Sequence, residues 1–271
     1  MLAPGFALAQ EAGGSQPRPW EMSLQPAATP VAENIHSFHN GLLVVITLIS
    51  LLVLSLLVYV MMRFNARSNP VASRTTHNTM IEVVWTIVPV LILIGIAIPS
   101  FKLLYFQRVI PKADMTIKAV GNQWYWSYEY PDLGQVAFDA YMVPEKELKE
   151  GQPRLLATDK DVVVPVGKTI HLLTTANDVI HSWAMPSFGV KIDAIPGRIN
   201  DDWFRVEREG IYYGQCSELC GKDHAFMPIA VRAVSEADFK TWSDTAKSAG
   251  IDEANKKLAE ILATKSKVAG N

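Results

Sequence analysis

Cysteine is scarce, with two in 271 residues, and so small a number excludes a scaffold stapled by disulfides. An excess of one charge is lacking too: 25 Lys and Arg stand against 27 Asp and Glu, a formal net charge of −2. That balance argues against a nucleic-acid binder. Charged residues of either sign make up only 19% and the mean hydropathy is +0.13, against about 25% charged in an ordinary soluble chain. Disorder is thereby excluded and membrane segments are expected. There is no internal repeat and no low-complexity tract, and no Cys-x-x-Cys-His occurs, so a fused c-type haem is excluded as well.

What is present begins with two apolar runs. Leu42 to Met62 is 21 residues without a charged side chain. At about 1.5 Å per residue, a helix of that length crosses a hydrocarbon core about 30 Å thick. Val83 to Phe101 is a second uncharged run of 19, interrupted by Pro89 and Pro99, which neighbouring helices can accommodate. The connection carries Arg63, Arg67 and Arg74 and no acid before Glu82 at the mouth of the second run. The excess of arginine places it in the cytoplasm and both termini outside. A pair of buried core helices in a soluble protein fits such runs far less well. The chain therefore reads as an irregular external arm over 1–40, a transmembrane hairpin over 41–106 with spans at about 42–62 and 83–101, an external domain over 107–234, and a helical tail over 235–271. Ala7-Leu8-Ala9 before Gln10 has the small-residue ending of a secretory signal but lacks the preceding charged and apolar regions, so removal of residues 1–9 stays open.

From Met115 the pattern changes to short stretches rich in β-branched and aromatic residues, such as 115–120, 161–165 and 169–174, punctuated by Gly and Pro. Strands at such intervals predict an antiparallel β-sandwich. Pro131 to Asp159 is more polar, with Gly134, Pro144, Gly151 and Pro153, and reads as a long loop or insertion. Ser235-Glu-Ala-Asp238 resembles a capping box, and Phe239, Trp242 and Ala246 follow at helical spacing, so a helical tail that frays past Gly250 ends the chain.

The informative window runs from Gly214 to Met227 and holds Cys216, Glu218, Cys220, His224 and Met227, with another histidine at His181. Two thiolates, imidazole and a thioether form a soft ligand set suited to copper, whereas zinc gains little from methionine. One thiolate with two histidines and a weak Met would make a mononuclear site. Two thiolates four residues apart can instead bridge a pair of coppers. A disulfide between Cys216 and Cys220 in an oxidising compartment is the bland alternative, as is core packing for His181 and Met227.

The motif Cys-x3-Cys-x3-His-x2-Met, the upstream Val179-Ile-His181-Ser-Trp183, the aromatic run Gln123-Trp124-Tyr125-Trp126-Ser-Tyr128-Glu129-Tyr130 and the preceding hairpin together closely resemble subunit II of haem-copper cytochrome c oxidase in its bacterial form, over about Ile35 to Val234. The resemblance implies an α+β membrane protein whose cupredoxin-like β-barrel or sandwich carries a dinuclear copper centre, Cu-A. It implies that Cys216 and Cys220 bridge the metals, that His181 and His224 complete them, and that Met227 and the backbone carbonyl of Glu218 are weak ligands. It further implies that the Glu218 carboxylate ligates a magnesium or manganese ion shared with subunit I, that Trp124 is the point where electrons enter, and that Glu82 lies at the entrance of a proton pathway.

By the same resemblance the donor is cytochrome c and the acceptor is haem a in subunit I, so the haems are not in this chain. The partners are subunits I and III, membrane lipid and a cytochrome bc complex in a supercomplex, and no nucleic acid. The setting is the bacterial inner membrane, spanned more than once, with the copper domain in the periplasm. Trp124 and Trp126, two apart, are expected on one strand face, where the plainer reading is a buried aromatic stripe. Glu129, Asp132, Asp139, Asp159 and Asp178 are expected to form an acidic face that steers a lysine-rich cytochrome. Two other readings fit the sequence less well. A copper chaperone or thiol oxidoreductase would show one anchor and a βαβ pattern, and a quinol-oxidase subunit II would lack the copper ligands.

Overall fold

The computed structural model describes residues 14–71, 73–134 and 136–269, so the signal remnant expected at 1–9 lies outside the described residues. The chain divides into two compact units, Asn34–Phe106 on one hand and the segments that end at Glu33 and begin at Gln107 on the other.

The Asn34–Phe106 unit is built on two helices, α1 (Pro30–Arg63) and α2 (Thr79–Arg108). Both are long and apolar enough to cross a membrane, with mean hydropathy of 3.0 and 2.6 in their most apolar windows. Pro89 and Pro99 lie inside α2 without ending it. The arm expected to remain irregular to Asn40 does not: α1 starts ten residues earlier. Thr29 is its cap, with Oγ1 accepting from the N–H of Ala32 at 3.1 Å and donating to the carbonyl of Phe188 at 2.7 Å. Pro30 follows at the first helical position, where its missing N–H costs nothing. Asn78 caps α2 in the same way, its Oδ1 accepting from Met80 and Ile81.

The other unit is a two-sheet sandwich. Its strands are β1 (Gly14–Ser15), β2 (Met115–Asn122), β3 (Tyr125–Tyr130), β4 (Val136–Ala140), β5 (Val162–Pro165), β6 (Thr169–Ala176), β7 (His181–Met185), β8 (Val190–Ala194), β9 (Asn200–Arg205), β10 (Gly210–Cys216) and β11 (Pro228–Val234). One sheet has the order β5-β11-β10-β7-β8, with β1 paired to β10, and the other β4-β3-β2-β6-β9. Most pairs are antiparallel, but β2–β6, β5–β11 and β1–β10 are parallel. Parallel neighbours need a long connection rather than a hairpin, and these strands are indeed far apart in sequence. The stretch read as a loop between Pro131 and Asp159 contains β4, which extends the sheet beside β3. Gly134 and the 3-10 turn Pro131–Leu133 make that hairpin, and Val136, Phe138 and Ala140 face inward while Ala137 and Asp139 face out.

Along β3 the same alternation sends Trp126, Tyr128 and Tyr130 into the core and leaves Tyr125, Ser127 and Glu129 half-buried on the other face. Trp183 and Tyr212 meet this core from the opposite sheet, Trp183 stacking on Phe204 of β9 and Tyr212 packing on Phe188. The Tyr130 hydroxyl donates to the Val163 carbonyl at 3.1 Å and accepts from the Val163 N–H at 2.9 Å, so a buried polar atom is satisfied across the sandwich.

The tail is two helices rather than one fraying helix. Ser235 caps α3 (Glu236–Ala249), its side chain accepting from the N–H of Asp238, and Gly250 at φ 90° turns the chain into α4 (Ile251–Ala269). Trp242 is fully buried, packs on Tyr130 with ring centroids 5.4 Å apart, and donates its indole N–H to Asn255 of α4 at 2.8 Å. Ala254 and Leu258 are buried from α4, and Lys265 pairs with Asp238 across the two helices.

Candidate metal centre

Strand β10 ends at Cys216, opposite Trp183 on β7, and β11 resumes at Pro228. Between them a loop closes on itself where the N–H of Cys216 donates to the carbonyl of Met227. Gly214 makes the approach of β10 to β7 possible, since a Cβ there would stand 2.0 Å from the Ala184 carbonyl oxygen.

The loop and the start of β7 bring the expected donors together. The sulfurs of Cys216 and Cys220 are 3.9 Å apart and both are free thiols, so they form no disulfide here. His181 Nδ1 lies 3.9 Å from Cys216 Sγ, His224 Nδ1 3.5 Å from Cys220 Sγ, Met227 Sδ 3.6 Å from Cys220 Sγ, and the carbonyl oxygen of Glu218 3.4 Å from Cys216 Sγ. His181, Cys216 and Cys220 each place one ligand atom within 4.8 Å of the other two. His181, Met227 and both cysteines are buried, while His224 is half-buried and the Glu218 side chain is exposed.

Electrostatics fit a soft cation. Burial pushes the Cys216 thiol up, but the His181 imidazole, the backbone at Glu218 and Ser182, and His224 outweigh it and bring the thiol down to about 7. Burial and the neighbouring Cys216 sulfur push Cys220 up to about 12. Two negative sulfurs at this distance repel, so without positive charge between them one thiolate forms long before the other. Burial lowers the His181 imidazole, yet Cys216 and Asp178 more than compensate and its net shift is upward.

His181 is held on all sides. Its Nε2 meets Asp178 Oδ1 at 2.8 Å, the Trp126 ring lies edge-on at 6.0 Å, and a Cβ on Gly121 would come within 2.7 Å of the ring, so only glycine fits there. Asp178 also accepts the N–H of Gln123 at 2.7 Å and that of Val179 at 2.6 Å. Burial raises its carboxyl, but those hydrogen bonds leave it below the ordinary aspartate value.

Trp124 and Trp126 do not share a strand face. Trp124 sits with Gln123 in the two-residue turn between β2 and β3, half-buried, whereas Trp126 is inside β3 and fully buried. A two-residue hairpin turn rotates its side chains off the ladder, so the period of two stops at Tyr125. The Trp124 indole N–H donates to the Cys220 carbonyl at 3.2 Å, its ring lies against Gly221, and Lys222 Nζ stands 5.7 Å over it.

The acids expected on a steering face all have local partners. Glu129 pairs with Lys118 at 3.0 Å, Asp132 accepts from the N–H of Thr116, Asp139 from Ser127 and Asp159 from the N–H of Tyr141. Glu82 lies half-buried in the first turn of α2. The residues whose part in the site the sequence does not reveal are Gln123, whose side chain donates to the Cys220 carbonyl at 2.7 Å, and the three glycines 121, 214 and 221. A glycine two residues before Cys216 and another just after Cys220 were the available signals.

Residues 115–234 match the family described as cytochrome C oxidase subunit II, periplasmic domain, and residues 17–103 match cytochrome C oxidase subunit II, transmembrane domain. The chain is 51% identical over 245 residues to a probable cytochrome c oxidase subunit 2 of Rickettsia bellii, covering 90% of this chain and 91% of the relative. It is 50% identical over 230 residues to the cytochrome c oxidase subunit 2 of Oenothera berteroana, covering 83% and 89% respectively. Among solved structures, the periplasmic domain of subunit II of cytochrome oxidase of Bradyrhizobium japonicum is 58% identical, covers 51% of this chain and 97% of its own, and gives a TM-score of 0.48.

Proposed function

The chain belongs to the cytochrome c oxidase subunit II family, and from that premise we propose that it takes electrons from cytochrome c at a dinuclear copper centre and passes them to haem a in subunit I. Membership makes it a membrane protein with an exterior domain and a subunit of an oxidase complex. The finer reading rests on one observation: two thiols, two imidazoles, a thioether and a carbonyl converge within 4 Å of one another in successive pairs.

Cys216 and Cys220 would hold the centre through their thiolates, His181 and His224 through one nitrogen each, and Met227 and the Glu218 carbonyl more weakly. A copper centre held by these residues would supply reversible one-electron transfer. The chain's own part is rigidity. Cys216 is locked in a β-ladder, His181 between Asp178 and Gly121, and Met227 in the core, so little moves when charge changes. Burial of the sulfurs keeps bulk water away from them. Trp124, bonded to the Cys220 carbonyl and half-buried, offers an aromatic contact for a docking donor.

The same reading assigns the exposed Glu218 carboxylate to a magnesium or manganese ion shared with subunit I, and Glu82 to the mouth of a proton path. It sets the chain in a bacterial inner membrane beside subunits I and III, with both termini on the periplasmic side. The test is a copper count with an electron paramagnetic resonance spectrum of the full chain in detergent. Two coppers sharing one unpaired electron are expected, and one copper per chain, or a single-copper hyperfine pattern, would sink the reading.

A further inference from the structure

Both oxygens of Asp178 are engaged, and by different parts of the sandwich. Oδ1 accepts from His181 Nε2 at 2.8 Å and from the N–H of Val179 at 2.6 Å, while Oδ2 accepts from the N–H of Gln123 at 2.7 Å. Gln123 then reaches across to the ligand loop, its side-chain Nε2 donating to the Cys220 carbonyl at 2.7 Å. That same oxygen receives the Trp124 indole. One carboxylate therefore ties the ring of one donor to the turn that grips the backbone of another.

We propose that Asp178 is a positioning residue for the metal centre, fixing His181 in the tautomer that leaves Nδ1 bare toward Cys216 and pinning the 123–124 turn against Cys220. The proposal rests on the copper reading above and deepens it. A neutral imidazole carries its proton on either nitrogen, and the partner of one nitrogen decides the state of the other. At His181 the Nε2 side faces an acceptor and the Nδ1 side faces sulfur, so the proton belongs on Nε2. Rotation offers no escape, because the ring is fully buried with Gly121 at its edge.

An amide cannot do the same work. All three groups that meet Asp178 can donate N–H, whereas asparagine has one oxygen and a donating NH2. In Asp178→Asn the oxygen serves the backbone and the NH2 faces His181, whose Nε2 must then accept, which moves the proton to Nδ1 and into the thiol cluster. Loss of an orienting carboxylate beside a histidine is known to favour the wrong tautomer in this way.

The test uses the full chain in detergent, metal-free, with its histidine rings labelled with nitrogen-15. In alkaline solution, where the imidazole is neutral, wild type should show His181 protonated on Nε2 with a bare Nδ1. Asp178→Asn should show the Nδ1-protonated form, and Asp178→Ala a mixture. Should Asp178→Ala fail to fold, Asp178→Asn, of the same shape, carries the test. Copper-loaded Asp178→Asn should also show an upward shift of reduction potential, because a negative charge near the ligand is gone. Glu145→Gln, which removes an exposed charge paired with Arg154 at the surface, should leave the potential unchanged. An unchanged His181 nitrogen pattern in the Asp178 variants would overturn the proposal, even if association with cytochrome c weakened. If wild type binds no copper pair, the function reading fails, while the metal-free nitrogen pattern still decides whether Asp178 positions the ring.

Discussion

The indole N–H of Trp124 donates to the carbonyl oxygen of Cys220 at 3.2 Å, so a half-buried aromatic ring and a buried thiol residue are joined by one hydrogen bond. Trp124→Phe keeps an aromatic contact and the local charge but loses that bond. Stopped-flow reduction by cytochrome c should slow by on the order of tenfold, equal to about 1.4 kcal/mol on the barrier. The salt dependence of association should stay as in wild type. A wild-type rate in Trp124→Phe, with the copper spectrum intact, would leave the bond without a role in transfer.

Met227 is buried against Cys220, so Met227→Leu exchanges side chains of similar size. The fold should lose less than about 1.5 kcal/mol in a urea titration. Copper should remain bound with an altered resonance spectrum, whereas Cys220→Ser should lose the paired signal altogether.

Asp202 supplies a pH dependence away from the cysteines. Burial raises its carboxyl from 3.8 to about 6, and Arg108 and the N–H of Trp203 only partly offset this. The folded chain therefore holds this proton more tightly than the unfolded chain does. That contribution is fully present below about 3.8 and is lost as pH rises through about 6. Asp202→Asn should accordingly stabilise the exterior domain at pH 7, by about 1–3 kcal/mol, and leave it unchanged near pH 3. Thermal unfolding at the two pH values reads the difference, and an equal effect at both would contradict it.

Trp242 fills the space between α3, α4 and Tyr130. Trp242→Ala should cost about 3–5 kcal/mol, typical of emptying a buried aromatic site. Proteolysis should then begin within 236–269 before it reaches the β-sandwich. Cleavage that starts elsewhere would show the helical pair to be independent of its tryptophan.

A cysteine-reactive label at Ser68→Cys should be modified only from the cytoplasmic side of membrane vesicles, because Arg63, Arg67 and Arg74 flank it without an acid in the 63–81 connection. Labelling from the other side would reverse the topology.

Much of the site was legible because its donors sit in one short window at a spacing few structures need otherwise. Cys216, Cys220, His224 and Met227 are close in sequence, and the structure brings them together with His181. The start of α1 was readable too, in Thr29-Pro30, but an apolar-run criterion passes over it because the first turns carry Glu33, His36 and Asn40. Strand β4 was hidden by the glycines and prolines around it, although Val136, Phe138 and Ala140 alternate correctly. Trp124 was misplaced because period-two counting cannot see where a hairpin turns. Asp178 looked like a surface charge: its hydrogen bond to His181, three residues on, is local, but its bond to Gln123 joins segments 55 residues apart, and no local pattern reveals that.

The loop that closes where Cys216 meets Met227 is anchored on the last rung of the β10–β11 ladder, Gln215 opposite Pro228. Every candidate donor except His181 is carried between those anchors. The stretch is thus a cassette: its length and contents can change while the rungs on either side keep their register. A mutation at one of its donors alters the chemistry offered to a metal, whereas the residues of β10 before Cys216 and of β11 after Pro228 set where the cassette stands.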